Sequence, residues 1–131
     1  MSMAVLDTSA LLAVFHCETG HEIAASVIYG ATVSTVNYSD FIKKFVERGG
    51  NVHMAQQLLD RQSLRLVTLD RQRAIHAAAI LPHTQSRGLS FADRVCLVTG
   101  KEFGLPVFTS DQRMTETTLD VAVTLIRPRP L

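Results

Sequence analysis

The feature that most constrains this chain is an alternation of two kinds of segment. Short runs of apolar and β-branched residues recur at 4–6, 32–36, 64–69, 105–109 and 121–126, with residues at helical spacing between most of them. Parallel strands need a crossover of a dozen or more residues, usually a helix, whereas antiparallel neighbours need only a tight turn. The spacing therefore predicts a three-layer α/β/α fold, with a mainly parallel central sheet of about five strands covered on both faces.

The punctuation between the runs is consistent with this. Thr8 and Ser9 open a first helical segment over 10–15, and a second over 18–29 ends at Gly30. Asn37 is placed to cap a helix over 38–48, and another follows over 51–62. Asp70 reads as the cap of a helix containing Ile75, Ala78 and Ala79 that Pro82 ends or kinks. Ser90 opens a helix over 91–103, closed by Gly104.

At 131 residues, 47% of them apolar, the chain reads as one domain over 1–131 with an extended tail over 127–131, long enough to bury a substantial core. Cys17 and Cys96 share no motif spacing, and Cys96 sits in an apolar helical stretch where a cysteine is usually a small buried hydrophobe. No apolar run reaches signal-peptide or membrane-spanning length, so a cytoplasmic location is expected.

In parallel α/β sheets ligand sites form beyond the carboxyl ends of the strands. Asp7 follows the first strand directly, and Asp111 follows the fourth after Ser110. Asp40 is expected in the first turn of the helix leaving the second strand, and Asp93 in the first turn of the helix opened by Ser90. Four carboxylates brought together without a counter-ion would raise one another's pKa, so such a cluster makes physical sense around a hard cation with oxygen ligands. Each acid also has a plainer role, as a helix cap or a first-turn partner of the helix dipole. Asp70, equally at a strand end, is read as a cap alone.

The stretches Val5-Leu6-Asp7-Thr8-Ser9-Ala10-Leu11-Leu12, Ser34-Thr35-Val36-Asn37-Tyr38-Ser39-Asp40, Leu89-Ser90-Phe91-Ala92-Asp93-Arg94 and Val107-Phe108-Thr109-Ser110-Asp111 resemble the four acidic motifs of PIN domains. More narrowly they resemble those of VapC toxins of toxin–antitoxin pairs. The resemblance implies a PIN-like fold and a Mg2+- or Mn2+-dependent endoribonuclease that hydrolyses RNA with metal-activated water. It further implies a homodimer and a cognate VapB-like antitoxin as partner. Asp7, Asp93 and Asp111 would be metal ligands. The family's second acid is normally glutamate; Asp40 is one methylene shorter, so the resemblance implies contact through water there.

Net charge is only +1, but withdrawing four of the twelve acidic residues into a pocket leaves eight against thirteen basic ones. A basic outer surface suits an RNA backbone. Lys43, Lys44, Arg94 and Arg113, close in sequence to the acids, are the candidate phosphate contacts, with a solvated helix face as the alternative for each. The five histidines show no zinc-ligand spacing, and two tyrosines without tryptophan leave little for base stacking. An aspartyl-phosphate enzyme would want an acid where Ser9 stands, two residues after Asp7. A PIN-like module that binds RNA or protein without cutting remains the other alternative.

Overall fold

The computed structural model describes residues 2–84 and 87–128. Among them β1 (Val5–Leu6), β2 (Thr32–Ser34), β3 (Arg65–Val67), β4 (Val107–Thr109) and β5 (Val123–Leu125) form one sheet in the order β3-β2-β1-β4-β5, every pair parallel. The helices are α1 (Thr8–His16), α2 (His21–Ile28), α3 (Thr35–Glu47), α4 (Val52–Asp60), α5 (Arg71–Ala79), α6 (Leu81–Thr84) and α7 (Phe91–Phe103), with a 3-10 helix over Gln112–Glu116.

The three layers follow from the two-residue period of a strand. Ala4 and Leu6 point into a core shared with α1 to α4, around Leu11, Phe41 and Leu59. Val5 points the other way, into a core with Ala77, Val95, Leu97 and Met114 beneath α5 and α7. The expected α/β/α architecture is what forms. β1 is buried on both faces and has a strand on each side.

Several boundaries shift. Residues 35 and 36 belong to α3 and not to the second strand, because Ser34 rather than Asn37 is the cap: its hydroxyl accepts from the Asn37 amide at 3.0 Å. A side-chain bond at the helix start outweighs the β preference of Thr35 and Val36. Asp40 is consequently in the second turn of α3, not the first. The helix expected over 18–29 begins only at His21, since Gly20 takes a φ of +93° and packs against the Ile126 carbonyl, where an added Cβ would lie 2.3 Å from the oxygen. α5 stops at Ala79, and Pro82 falls in the first turn of α6.

Asp70, Ser90 and Gly104 cap their helices as expected, and Cys96 is buried in the α7 core. No helix of the described residues is long and apolar enough to cross a membrane. Of the tail expected over 127–131, residues 129–131 lie outside the described residues.

Candidate metal centre

The strand order locates a crevice. From β1 the chain builds outward through β2 to β3, then crosses back to place β4 on the other side of β1. Helices leaving β1 and β4 therefore diverge at the carboxyl edge, the place where α/β sheets bind ligands. Asp7 and Asp111 stand on the two lips of that divergence.

Asp7 is 3% exposed and is also the N-cap of α1, its Oδ1 accepting from the Ala10 amide at 2.9 Å. Two hydroxyls complete its shell: Ser9 donates to Oδ1 at 2.7 Å and Thr109 to Oδ2 at 2.6 Å. Burial pushes its pKa from 3.8 up to about 6; the three hydrogen bonds pull the other way, and nearby Asp93 adds to the rise. The capping and site roles, weighed as alternatives from the sequence, coexist in one side chain.

The same hydroxyls organise β4. Thr109 Oγ1 accepts from the Asp111 amide at 3.0 Å, and Ser9 Oγ accepts from the Ser110 amide at 2.9 Å. Asn37 is buried, donating from Nδ2 to Thr8 Oγ1 at 3.1 Å and accepting from the Ser34 hydroxyl at 2.6 Å. Ser9, Asn37 and Thr109 were not anticipated as members of the site. The available signal was the placement of Ser9 and Thr109 two residues from strand-end acids, and of Asn37 three residues after Ser34.

Asp93 occupies the third position of α7 in a reciprocal cap, its Oδ2 accepting from the Ser90 amide at 2.9 Å while its amide donates to the Ser90 hydroxyl at 3.2 Å. It is close enough to Asp7 to add to the rise of that acid's pKa. Burial, and then the charges of Asp7 and Asp93, raise the Cys96 thiol well above its ordinary pKa. Among the described residues no lysine, arginine or histidine forms an ion pair with Asp7 or Asp93.

Asp111 differs. It caps the 3-10 helix and is gripped by Arg113, Nη2 to Oδ2 at 2.7 Å, and this guanidinium holds its pKa below the ordinary value. Asp40 points to Lys44 at 3.5 Å and borders an open groove of ≈ 460 Å³ with Thr35, Ser39, Lys43, Leu69 and Phe91.

As they stand, no three His, Cys, Asp or Glu side chains among the described residues are grouped to hold a metal ion. Asp7 and Asp93 are brought together, Asp111 is linked to Asp7 through the Thr109 hydroxyl while its carboxylate is held by Arg113, and Asp40 pairs with Lys44 at the groove. The donor set still fits a hard divalent cation: every candidate ligand is a carboxylate oxygen, and the neighbouring Asp7 and Asp93 form no ion pair among the described residues.

Of the candidate phosphate contacts, Lys43 pairs with Glu47 at 4.0 Å, Lys44 with Asp40 and Arg113 with Asp111. Arg94 has no acid partner among the described residues; its Cζ is 5.8 Å from the Phe91 ring centroid and its buried Nε lacks a hydrogen-bond partner.

No curated protein matches the chain. Solved structures of the same fold include a toxin–antitoxin complex from Klebsiella pneumoniae at 14% identity and TM-score 0.73, covering 94% of this chain and 97% of that one. Another is VapC20 of Mycobacterium tuberculosis, a sarcin-ricin loop cleaving toxin, at 17% identity and TM-score 0.73, covering 86% and 92%. DNA-bound VapBC from Salmonella typhimurium is similar at 17% identity and TM-score 0.71, covering 96% and 99%. The PIN domain pattern matches residues 4–118, from the first strand to beyond Asp111. Through a match of that length, carrying all four acidic segments, this chain belongs to the PIN domain family.

Proposed function

We propose that this protein is a metal-dependent endoribonuclease, the VapC-type toxin of a toxin–antitoxin pair. The observation that carries the proposal is Asp7, buried beside Asp93 at the switch point of the sheet and without an ion pair among the described residues. Burying a carboxylate without a positive partner is costly, and a divalent ion between the two acids removes that cost. Asp7, Asp93 and Asp111 would hold it, with Asp40 contributing through water from the groove side. Such an ion, Mg2+ or Mn2+, would neutralise the phosphoryl oxygens and activate water for attack at phosphorus.

The chain's own groups do the rest. Thr109 and Ser9 fix both oxygens of Asp7, so the carboxylate presents one orientation. The Ser90 amide, donating to Oδ2, fixes the Asp93 carboxylate at the mouth of α7. Arg94, without an acid partner among the described residues, is the readiest phosphate contact, followed by Lys43 on the groove wall.

The groove beside Asp40 supports the partner assignment. Phe91, 44% exposed, and Leu69 give it apolar anchors next to acids, a surface suited to a peptide with apolar and basic side chains, as an antitoxin segment would supply. The similar structures include toxins bound to antitoxins, and a homodimer is the assembly the family resemblance implies.

The test is cleavage of a total RNA pool with and without Mg2+ or Mn2+, using Asp7→Asn and Asp93→Asn as controls. Metal-dependent cutting lost in both variants is expected; cutting that survives in them without metal overturns the mechanism. One observation favours a second reading, a module that binds without cutting: among the described residues no three acids are grouped for a metal as they stand. RNA binding with no metal-induced rise in melting temperature would select it.

A further inference from the structure

Arg113 is held by Asp111 more completely than an incidental surface pair would be. Its Nε lies 3.1 and 3.2 Å from the two carboxylate oxygens and its Nη2 2.7 Å from Oδ2, while its own amide donates to Oδ1 at 2.9 Å. Nη1 donates to the Gly88 carbonyl at 3.3 Å, two residues before the cap of α7. Both oxygens of Asp111 are thus taken, and Asp93 is close enough to favour the positive charge of Arg113. Arg127, by contrast, donates to the Ser110 carbonyl at 2.6 Å and forms no ion pair with an acid among the described residues.

We infer that Arg113 is a resident cation of the metal site. It occupies Asp111 when no divalent ion is bound, and entry of the ion releases its guanidinium to take the RNA phosphate; this rests on the metal-dependent function proposed above.

The chemistry supports exchange in that direction. A divalent ion must take at least one Asp111 oxygen, and it brings twice the charge of a guanidinium. The Arg113 side chain is 54% exposed, so solvent screens the pair and stands ready to solvate the released guanidinium, which favours the more highly charged ion. The freed group is planar, weakly hydrated and matched to the fork of a phosphate, and it stays tethered two residues from the acid it left. Arg113 would thereby set the metal concentration at which the site loads and couple loading to a free phosphate-binding group.

The test uses the full chain. The Nε–H resonance of Arg113, identified by its loss in Arg113→Gln, is followed by NMR during Mg2+ titration alongside the backbone amides of residues 7–10 and 109–111. Mn2+ affinity is measured by electron paramagnetic resonance. The expected result is an Arg113 resonance that changes in step with those amides, and Mn2+ binding roughly two- to fivefold tighter in Arg113→Gln. Arg127→Gln removes the same charge without touching the carboxylate and should tighten binding less. Should Arg113→Gln fold poorly, Arg113→Lys, which keeps the charge and loses the fork, should also bind Mn2+ more tightly than the wild type. If the amides respond while the Arg113 resonance does not, or if the Arg113 and Arg127 variants bind Mn2+ equally, the inference is wrong and the metal site stands. If no amide responds and no Mn2+ binds, both the metal-dependent function and the inference fall.

Discussion

The hydroxyl of Thr109 donates to Asp7 Oδ2 across 2.6 Å, joining the end of β4 to the end of β1 through two residues 102 positions apart in the chain. It is a hydrogen bond to a buried acid, and the Thr109 Oγ1 itself accepts from the Asp111 amide. Thr109 therefore sets the spacing of two proposed ligands. Thr109→Val keeps the shape and removes both bonds, leaving buried polar groups unpaired. Urea unfolding should show a loss of about 1–3 kcal/mol, together with weaker Mn2+ binding. Undiminished stability and affinity would remove Thr109 from this role.

The raised pKa of Asp7 predicts a pH dependence of stability in metal-free protein. The folded state keeps its proton up to about pH 6, whereas the unfolded carboxyl loses it near 3.8, so folding is favoured most below 3.8 and that advantage is lost as pH rises through 6. At about 1.4 kcal/mol per pH unit the full change is about 3 kcal/mol. Asp7→Asn should flatten this part of the profile and be the more stable protein at pH 7.5 without metal. Adding Mg2+ should stabilise the wild type and not the variant. A wild-type profile that climbs between pH 4 and 6, with the other acids unchanged, would contradict the burial argument.

Asp40 tests how far the groove belongs to the site. Lengthening it by one methylene in Asp40→Glu should preserve or raise RNA cleavage at limiting Mg2+. Asp40→Ala should lower cleavage about 10- to 100-fold, the range for loss of an outer-shell partner of a metal. Full activity in Asp40→Ala would exclude the residue.

Ser90 is a cap whose loss should be felt twice. Ser90→Ala removes the acceptor of the Asp93 amide at the start of α7 and should reduce stability by about 1 kcal/mol. The Asp93 carboxylate keeps its bond to the Ser90 amide, but a frayed first turn displaces both groups, so Mn2+ affinity should fall as well. A change in melting temperature with no change in affinity would make the cap purely structural.

Much of this molecule is written locally. Short β-branched runs separated by helical segments determine a parallel sheet with helices on both faces, since each crossover needs a helix to return the chain. Ser90, Asp70 and Gly104 mark helix ends because their side chains, or the lack of one, act within three residues of the boundary. The four acidic segments are legible for the same reason, being contiguous along the chain. Where the local signals compete, as at Ser34 and Asn37, the boundary moves by a few residues and carries Asp40 into the second turn of α3.

Tertiary structure alone separates Asp7 from Asp70. Both follow a strand and both cap a helix with Oδ1, but β1 is central and β3 is an edge strand. Asp70 therefore stays exposed and pairs with Arg73, whereas Asp7 is enclosed by β4 and α7 and left beside Asp93 with no ion pair among the described residues. No spacing in the chain encodes that difference, because burial and the field of a neighbouring charge depend on which strands lie side by side. The hydroxyl bridge from Thr109 to Asp7 likewise exists only once β4 is laid against β1, whereas the grip of Arg113 on Asp111 is local, made across two residues.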